Sequence, residues 1–325
     1  MGCHENAGTD AIDKMGQSAP SNRQRLMQRR IVAVGECMVE LSAASIPGQY
    51  AMGFAGDTLN TAWYLRRCLG ADWQIDYVTA IGQDALSDRM ASFLAEAGLG
   101  MALVRRVPDR TVGLYLIELT DGERSFAYWR GQSAARLLAA DVGRLKAALA
   151  GAALIYLSGI TLAILEGAGR ANLLTALRHA RAAGSKVAFD PNLRPRLWPD
   201  SATMCAAVME AAAVADILLP SHEDEATHFG DRNPLATATR YGQAGAALVV
   251  VKNGPGEMVL WDRGQITRLT PDPVAPVIDT TAAGDSFNAA FLAAHLTGAG
   301  LLPSAQAGAA LAAKVISARG ALVSV

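Results

Sequence analysis

The chain has 325 residues, of which 51% are hydrophobic and 18% are charged, and its formal net charge is −1. This size and composition predict one large α/β domain with a substantial core. Because the net charge is so close to zero, we do not expect this protein to bind nucleic acid or anionic membranes through a broadly basic surface. The four cysteines lack metal-binding spacing and therefore predict free thiols in a reducing cytoplasm.

Two uncharged stretches could be mistaken for membrane spans, but small or helix-breaking residues divide both. Residues 147–165 contain glycine, serine and threonine, and residues 289–313 contain Pro303 and several glycines. We therefore expect no membrane-spanning segment. Residues 1–30 are polar and lack an apolar signal core, which predicts a disordered extension before a folded domain over residues 31–325.

Short apolar runs alternate with helical patterns along the rest of the chain. Because strands that alternate with helices form parallel sheets covered on both faces, this order predicts a three-layer α/β/α domain with a mostly parallel sheet. The predicted strands are Ile31–Val34, Ile75–Ala80, Ala153–Leu157, Lys186–Phe189, Ile217–Leu219 and Ala247–Val251. The predicted helices are Thr58–Leu69, Ser87–Ala97, Leu137–Leu149, Ala171–Ala183 and Thr203–Val214.

Two segments, at about residues 37–55 and 110–130, have strand patterns without intervening helices. An Asp121-Gly122 pair in the second segment predicts a hairpin turn. We expect these strands to form a small sheet that closes over a substrate as a lid and excludes water. The alternative is an ordinary antiparallel extension of the main sheet. Because a small exposed sheet tends to cover its edges with a copy of itself, a homodimer through the lid is also expected.

The segment Asp279–Asp285 places small residues and an acid just before a helical pattern from Phe287 to Leu296. Small residues let the backbone approach a ligand, and the free N–H groups and dipole of a helix start favour an anion. Asp285 would repel that anion, but it could take a proton from a group that attacks it, as phosphoryl transfer requires. The alternative is that Asp285 only caps a core helix.

Three further segments favour a ligand site, although each has a simpler interpretation. Gly53–Asn60 opens a helix with side chains that can bind hydroxyl groups, or Asp57 or Thr58 simply caps that helix. Asp190–Trp198 follows a strand at the edge where open α/β sheets bind ligands, or it is a proline-fixed loop with a surface arginine. Val250–Gly256, a strand that leads into a glycine-rich turn, could pass under a nucleotide or could be an ordinary hairpin turn. The chain has no GxxxxGK[ST] phosphate loop, so a nucleotide would need another phosphate site.

Together these segments resemble the ribokinase-like (PfkB) carbohydrate kinase family over about residues 31–325. The family's D-T-x-G-A-G-D motif is similar to Asp279–Asp285. The resemblance implies a ribokinase-like fold and ATP-dependent phosphorylation of a sugar acid, 2-dehydro-3-deoxy-D-gluconate, at its 6-hydroxyl. It implies ATP and Mg²⁺ as cofactors and leaves a monovalent cation open. The alternative within the family is a kinase of a neutral sugar such as fructose or ribose.

The resemblance also implies roles for individual residues. Asp285 would be the catalytic base, and the anion hole would be formed by Ala282, Ala283 and Gly284. The sugar acid would be held by Gly56, Asp57, Asn60, Tyr115, Tyr128, Arg130 and Arg194, of which the two arginines suit a carboxylate. The nucleotide side would be lined by Asn192, Ser221, Lys252, Gly254 and Gly256. The segment Ser221–Glu225 stands where the family has an Asn-x-x-Glu motif for the metal. Asp224 would therefore be the metal-binding acid, with Glu225 as the alternative.

Two alanines stand where the family has glycine, at Ala55 and Ala282. An alanine is strained wherever the backbone has a positive φ. We therefore expect that neither position has a positive φ.

Overall fold

The structure is a computed structural model that describes residues 1–2, 29–44, 46, 48–120 and 123–325. The predicted N-terminal extension falls mostly on residues 3–28, and the predicted Asp121-Gly122 turn falls on residues 121 and 122. The turn and residues 3–28 of the extension therefore lie outside the described residues, whereas Arg30, the last residue of the predicted extension, lies in the first strand. Within the described ranges, no helix is both long enough and apolar enough to cross a membrane.

Strands and helices alternate along the main domain as predicted. In chain order the strands are β1 (Arg30–Val34), β2 (Met38–Ala43), β3 (Tyr50–Ala55), β4 (Gln74–Ile81), β5 (Val104–Arg106), β6 (Gly113–Thr120), β7 (Glu123–Trp129), β8 (Leu154–Ser158), β9 (Lys186–Asp190), β10 (Ile217–Leu218), β11 (Leu248–Val251), β12 (Met258–Asp262) and β13 (Gln265–Leu269). The α-helices are α1 (Asp57–Cys68), α2 (Ala85–Glu96), α3 (Val142–Leu149), α4 (Gly159–Ile164), α5 (Gly167–Ala182), α6 (Ser201–Ala212), α7 (His222–Phe229), α8 (Pro234–Gln243), α9 (Ala283–Leu296) and α10 (Leu301–Ile316).

The main sheet has nine strands in the order β13-β12-β11-β10-β9-β8-β1-β4-β5. All neighbouring strands from β11 to β5 in this order pair in parallel, whereas β12 pairs antiparallel with both β11 and β13. Along β1, Val32 and Val34 face one buried core, while Ile31 and Ala33 face another. The sheet is therefore covered on both faces, and the predicted α/β/α architecture is confirmed.

Several parts of the main domain differ from the prediction. The sequence pattern does not predict the strand β5 or the helices α4, α7 and α8. The predicted helix Leu137–Leu149 is wrong in its first part, because α3 begins only at Val142. The side chain of Asp141 starts this helix by accepting a hydrogen bond of 3.0 Å from the backbone N–H of Arg144. The sequence pattern also does not predict the two antiparallel strands β12 and β13, which extend the sheet beyond β11 by hairpins.

The lid strands form a separate four-stranded sheet in the order β3-β2-β6-β7. The alternative that they extend the main sheet is therefore wrong. The strands β2 and β6 pair in parallel, and the outer pairs are antiparallel. One face of this sheet packs on the main core through side chains such as Leu41 and Leu114. The other face carries Tyr115, which packs in a cluster with Ala282 and Ala321, so this face is turned toward the start of α9.

Candidate active site

The candidate site lies beyond the carboxyl ends of the parallel strands, where helices α1 and α9 begin side by side. The Asn60 side chain, on α1, donates a hydrogen bond of 2.8 Å from Nδ2 to Oδ2 of Asp285, on α9. The neighbouring Thr61 hydroxyl donates to the backbone carbonyl of Asp285 at 3.3 Å. The structure thus brings the predicted base into contact with a residue that the resemblance places at the sugar.

Asp285 does not cap its own helix. The N-cap of α9 is Ala282, and Asp285 lies in the first turn. Since its carboxylate instead accepts the hydrogen bond from Asn60, the interpretation of Asp285 as a simple helix cap is wrong. The first turn of α9 also carries Ala283 and Gly284, so the predicted anion hole coincides with the positive end of a helix dipole.

Ala282 has a left-handed backbone, with φ 58° and ψ 16°. The expectation of a negative φ is therefore wrong at Ala282, whereas Ala55 has no positive φ and lies within β3. The physical reason is a turn just before α9, in which the N–H of Ala283 donates to the carbonyl of Thr280 at 3.2 Å. A left-handed alanine costs about 1 kcal/mol relative to glycine, so the segment holds a strained residue at its anion hole.

A buried polar network lies next to this segment. The Lys252 ammonium donates to Oδ2 of Asp190 at 3.0 Å and to Oδ1 of Asn288 at 3.1 Å. The Asn288 amide donates to the same Asp190 oxygen at 2.6 Å and to the Tyr156 hydroxyl at 3.1 Å. A Cβ built on Gly284 would lie 3.4 Å from the Lys252 nitrogen. The predicted nucleotide ligand Lys252 is therefore adjacent to the predicted anion hole.

The sequence-based site missed Asp190 and Asn288. Both side chains are buried, with relative exposures of 5% and 0%. One signal could have identified Asn288, because it is a polar residue one turn after Asp285 in an otherwise apolar helical pattern. Asp190 lies in the predicted ligand-binding segment Asp190–Trp198, but the sequence pattern assigns it no role of its own.

The charges around Asp285 perturb its proton affinity. The pKa of the Asp285 carboxyl is raised to about 8, mainly by burial and next by the negative charge of Asp57. Asp190 raises this pKa further, whereas the hydrogen bond from Asn60 and the charge of Lys252 lower it. A carboxyl with a pKa near 8 is a better proton acceptor than an ordinary aspartate, as a catalytic base requires.

The nucleotide and sugar sides meet at Asn192 and Asp57. The Asn192 amide donates a hydrogen bond of 2.7 Å to Oδ2 of Asp57. Asp57 also accepts a bond of 2.8 Å from the backbone N–H of Thr58, but α1 has Gly56 as its N-cap and no side-chain cap hydrogen bond. Asn192 and Asp57 were predicted to serve different substrates, and the structure places them in direct contact.

The remaining predicted nucleotide residues lie beyond β10 and β11. Ser221 and Lys252 form a parallel bridge that continues the pairing of these two strands. Gly254 and Gly256 lie in the turn of the hairpin that joins β11 to β12. The hairpin interpretation of this segment is therefore the one that the structure adopts, and contact with a nucleotide stays a prediction for both glycines.

The predicted metal residue Asp224 faces a predicted substrate residue. The Arg194 guanidinium lies 3.5 Å from Oδ2 of Asp224, and the Arg194 side chain is 51% exposed. Burial raises the pKa of Asp224, and the charge of Arg194 opposes that shift. Glu225, the alternative, is fully buried and accepts hydrogen bonds from Tyr241 and Arg240, so Asp224 has the better access to a bound ion. No group of three potential metal-ligating side chains was found among the described residues.

The lid presents aromatic and polar groups on the face that turns toward α9. Tyr115 and Tyr128 are directly opposite each other in β6 and β7, with ring centroids 5.8 Å apart. The Tyr115 hydroxyl donates to the Glu40 carboxylate. Tyr115 is buried, whereas Tyr128 is 50% exposed. At the base of the lid, Gly56 can be only glycine, because a Cβ there would lie 2.3 Å from the backbone oxygen of Glu36.

Comparison with known proteins identifies close relatives over most of the chain. The model of the pfkB family carbohydrate kinases matches residues 28–325. The 2-dehydro-3-deoxygluconokinase of Dickeya dadantii (strain 3937) is 40% identical over 303 residues, which cover 91% of this chain and 97% of that protein. The enzyme of the same name from Escherichia coli (strain K12) is 38% identical over 304 residues, covering 91% and 98%. The crystal structure of a PfkB protein from Polaromonas sp. JS666 superposes with a TM-score of 0.78 at 27% identity, covering 88% and 95%.

Proposed function

Because the chain belongs to the pfkB family of carbohydrate kinases, we propose that it is a cytoplasmic enzyme that phosphorylates 2-dehydro-3-deoxy-D-gluconate with ATP. The observation that carries the reaction type is the contact between Asn60 and Asp285 at the start of α9, beside the Lys252 ammonium. The choice of sugar is supported by the two relatives of that name, which match nearly the whole chain.

The reaction needs one proton transfer and one phosphoryl transfer. The 6-hydroxyl oxygen of the sugar acid forms a bond to the γ-phosphorus while the bond from that phosphorus to the β–γ bridging oxygen breaks, and ADP leaves. The hydroxyl proton passes to the Asp285 carboxylate, which Asn60 holds in place by its 2.8 Å hydrogen bond. Since phosphoryl transfer needs little covalent help from the protein, positioning by these groups supplies most of the rate.

The anion hole and Asp224 provide groups that fit ATP and Mg²⁺. The first turn of α9 directs its dipole toward the transferred phosphate. Asp224 offers carboxylate oxygens, which are the ligands that Mg²⁺ prefers beside phosphate and water. When bound, Mg²⁺ neutralises phosphate charge and holds the phosphates in place.

A sugar acid needs a cation for its carboxylate, and the two predicted arginines differ in their availability. Arg194 is half exposed and lies 3.5 Å from Asp224. Arg130 is buried and forms an ion pair with Glu36. Even so, Nε of Arg130 has no hydrogen-bond partner among the described residues. Arg194 therefore provides the more available charge, and Arg130 keeps one donor for the substrate.

A coupled assay of ADP release tests this function. The purified chain is given ATP, Mg²⁺ and one acceptor at a time: 2-dehydro-3-deoxy-D-gluconate, its galacto epimer, gluconate, fructose or ribose, with and without K⁺. The expected result is the highest kcat/KM with 2-dehydro-3-deoxy-D-gluconate. A higher kcat/KM with fructose or ribose would replace this proposal with the neutral-sugar alternative.

The lid is also proposed to join two copies of the chain. Its outer strands are β3 and β7, and they carry exposed aromatic residues, including Tyr50 at 46% and Trp129 at 60% relative exposure. Unpaired strand edges and exposed aromatic rings together favour association with a second lid.

A further inference from the structure

We infer that Asp190 is a positioning residue for phosphoryl transfer, which holds the Lys252 ammonium over the anion hole so that Lys252 contacts the transferred phosphoryl group. The inference rests on the proposed function and deepens it. It assigns a role to Asp190 and Asn288. It also specifies that Lys252 contacts the transferred phosphoryl group and not only some part of the nucleotide.

Both oxygens of the Asp190 carboxylate are occupied by donors from different parts of the chain. Oδ2 accepts from Lys252 at 3.0 Å and from Asn288 at 2.6 Å. Oδ1 accepts from the backbone N–H of Asn192 at 3.1 Å. Asp190 ends β9 at the site edge of the main sheet, so a rigid strand fixes where this carboxylate, and therefore the ammonium, can lie.

The Lys252 ammonium has three N–H donors, and two of them are directed to Asp190 and Asn288. The side chain is only 12% exposed, and burying an ammonium without a partner would be costly. Its position 3.4 Å from a Cβ built on Gly284 leaves the third donor beside the anion hole. A positive charge held in that place is suited to the negative charge on a transferring phosphoryl group.

The same network couples the lysine to the base. Asn288 lies one turn after Asp285 on α9, so one helix carries both the base and the second acceptor for Lys252. The charged and titratable groups that act on Asp285 are Asp57, Tyr64, Tyr156, Asp190 and Lys252. Lys252 is the cation among them, and its charge lowers the pKa of Asp285. Loss of Lys252 should therefore affect both the phosphoryl group and the pH dependence of the base.

The first test compares Asp190→Asn, Lys252→Met and the double variant in the full-length chain. We expect each single substitution to lower kcat by about 10²-fold, as for the loss of one electrostatic contact to a reacting group. If Asp190 acts through Lys252, the double variant should be within about threefold of Lys252→Met alone. Lys252→Met should also move the acidic limb of the kcat/KM profile to higher pH, because the Asp285 pKa rises.

The second test measures nucleotide binding by titration calorimetry, without any sugar. Mg·ADP lacks the γ-phosphoryl group, whereas Mg·AMP-PNP has it. We expect Asp190→Asn to weaken Mg·AMP-PNP about tenfold and to leave Mg·ADP within about twofold, as for a lost contact to a charged group. This binding experiment contains no sugar, so its result does not depend on which sugar the enzyme uses. Absence of wild-type turnover on 2-dehydro-3-deoxy-D-gluconate would contradict the proposed function, but the nucleotide affinities would still test the role of Asp190.

Asp216→Asn is the matched control. Asp216 is another buried carboxylate that pairs with a lysine, Lys186, at 3.4 Å, but it precedes β10, whereas Asp190 ends β9. We expect it to lower Tm and to leave kcat and the pH profile unchanged. Should Asp190→Asn not fold, Asn288→Ala replaces it, with the same expected loss of Mg·AMP-PNP affinity. The inference would be overturned if Asp190→Asn weakened the binding of Mg·ADP and Mg·AMP-PNP equally. It would also be overturned if the kcat loss of the double variant equalled the product of the two single losses.

Discussion

The buried guanidinium of Arg130 forms an ion pair with the carboxylate of Glu36 at the base of the lid. Glu36 lies between β1 and β2, where the chain leaves the main sheet, and Arg130 directly follows β7, where the chain returns from the lid. One oxygen of Glu36 and Nε of Arg130 have no hydrogen-bond partner among the described residues. The pair therefore joins the two ends of the lid, and its two unpartnered polar atoms can bind a ligand beside Gly113.

Replacement of Arg130 in this pair should have two effects that can be measured separately. Arg130→Ala should raise the KM for 2-dehydro-3-deoxy-D-gluconate by about 10- to 100-fold, as for loss of a hydrogen bond to a charged group, while the KM for ATP stays within twofold. It should also lower the free energy of unfolding by about 3–5 kcal/mol, because Glu36 is left buried without its partner. Steady-state kinetics and urea denaturation measure the two effects.

The double variant Arg130→Ala/Glu36→Gln is the control for the first prediction. Removing both charges should recover most of the lost stability but none of the sugar affinity. An unchanged sugar KM in Arg130→Ala would show that Arg130 serves only the lid.

The main sheet could be predicted from the sequence because its strands are buried on both faces. Such strands are continuous apolar runs, and β8 and β11 stand out as runs of this kind. The start of α3 could not be placed in this way, since the capping bond of Asp141 is local and the preceding residues share a helical pattern.

The contacts of the site could be predicted only in part. Asn60 and Asp285 meet across 225 positions of sequence, and no local pattern encodes such a contact. The polar network of Asp190 was missed for the same reason, because Lys252 and Asn288 reach it from two other elements. The torsion of Ala282 was predicted with the wrong sign, since the turn before α9 overrides the ordinary preference of alanine.

Replacing the base should abolish most activity while making the fold more stable. We expect Asp285→Asn to lower kcat by about 10²–10⁴-fold, as for loss of a general base, and to remove the rise of kcat/KM through the raised pKa of Asp285. Wild-type turnover in this variant would end the assignment of Asp285.

The stability effect of Asp285→Asn follows from the direction of the pKa shift. The native pKa of Asp285 is raised from the ordinary aspartate value to about 8, so between those two values the native state holds a proton that the unfolded state has lost. Stability contributed by this group is present at low pH and is lost as pH rises through that range. The Tm advantage of Asp285→Asn over the wild type should therefore grow between about pH 5 and pH 8. Thermal melts at several pH values measure it, and a constant difference would contradict the raised pKa.

The proposed lid dimer can be tested through one exposed side chain. Trp129 is 60% exposed at the end of β7, an outer strand of the lid. We expect the wild type to be a dimer by light scattering, and Trp129→Glu to be a monomer, because a buried charge at such an interface is unfavourable. Ile266→Glu is the matched control, since Ile266 is 47% exposed on β13, at the edge of the main sheet. A monomeric wild type would contradict the proposed dimer. Loss of the dimer in Ile266→Glu but not in Trp129→Glu would show that the interface lies at the edge of the main sheet.

The left-handed alanine before α9 predicts a stabilising substitution at the centre of the site. Ala282 has φ 58°, so Ala282→Gly should raise the free energy of unfolding by up to about 1 kcal/mol by removing the strain. Ala283 is the next residue and lies within α9, where glycine costs about 0.5–1 kcal/mol relative to alanine. The same substitution at adjacent positions should therefore change stability in opposite directions, measured by urea denaturation of both variants. Destabilisation by Ala282→Gly would mean that the methyl group's contacts in the cluster with Tyr115 and Ala321 outweigh the strain of its backbone.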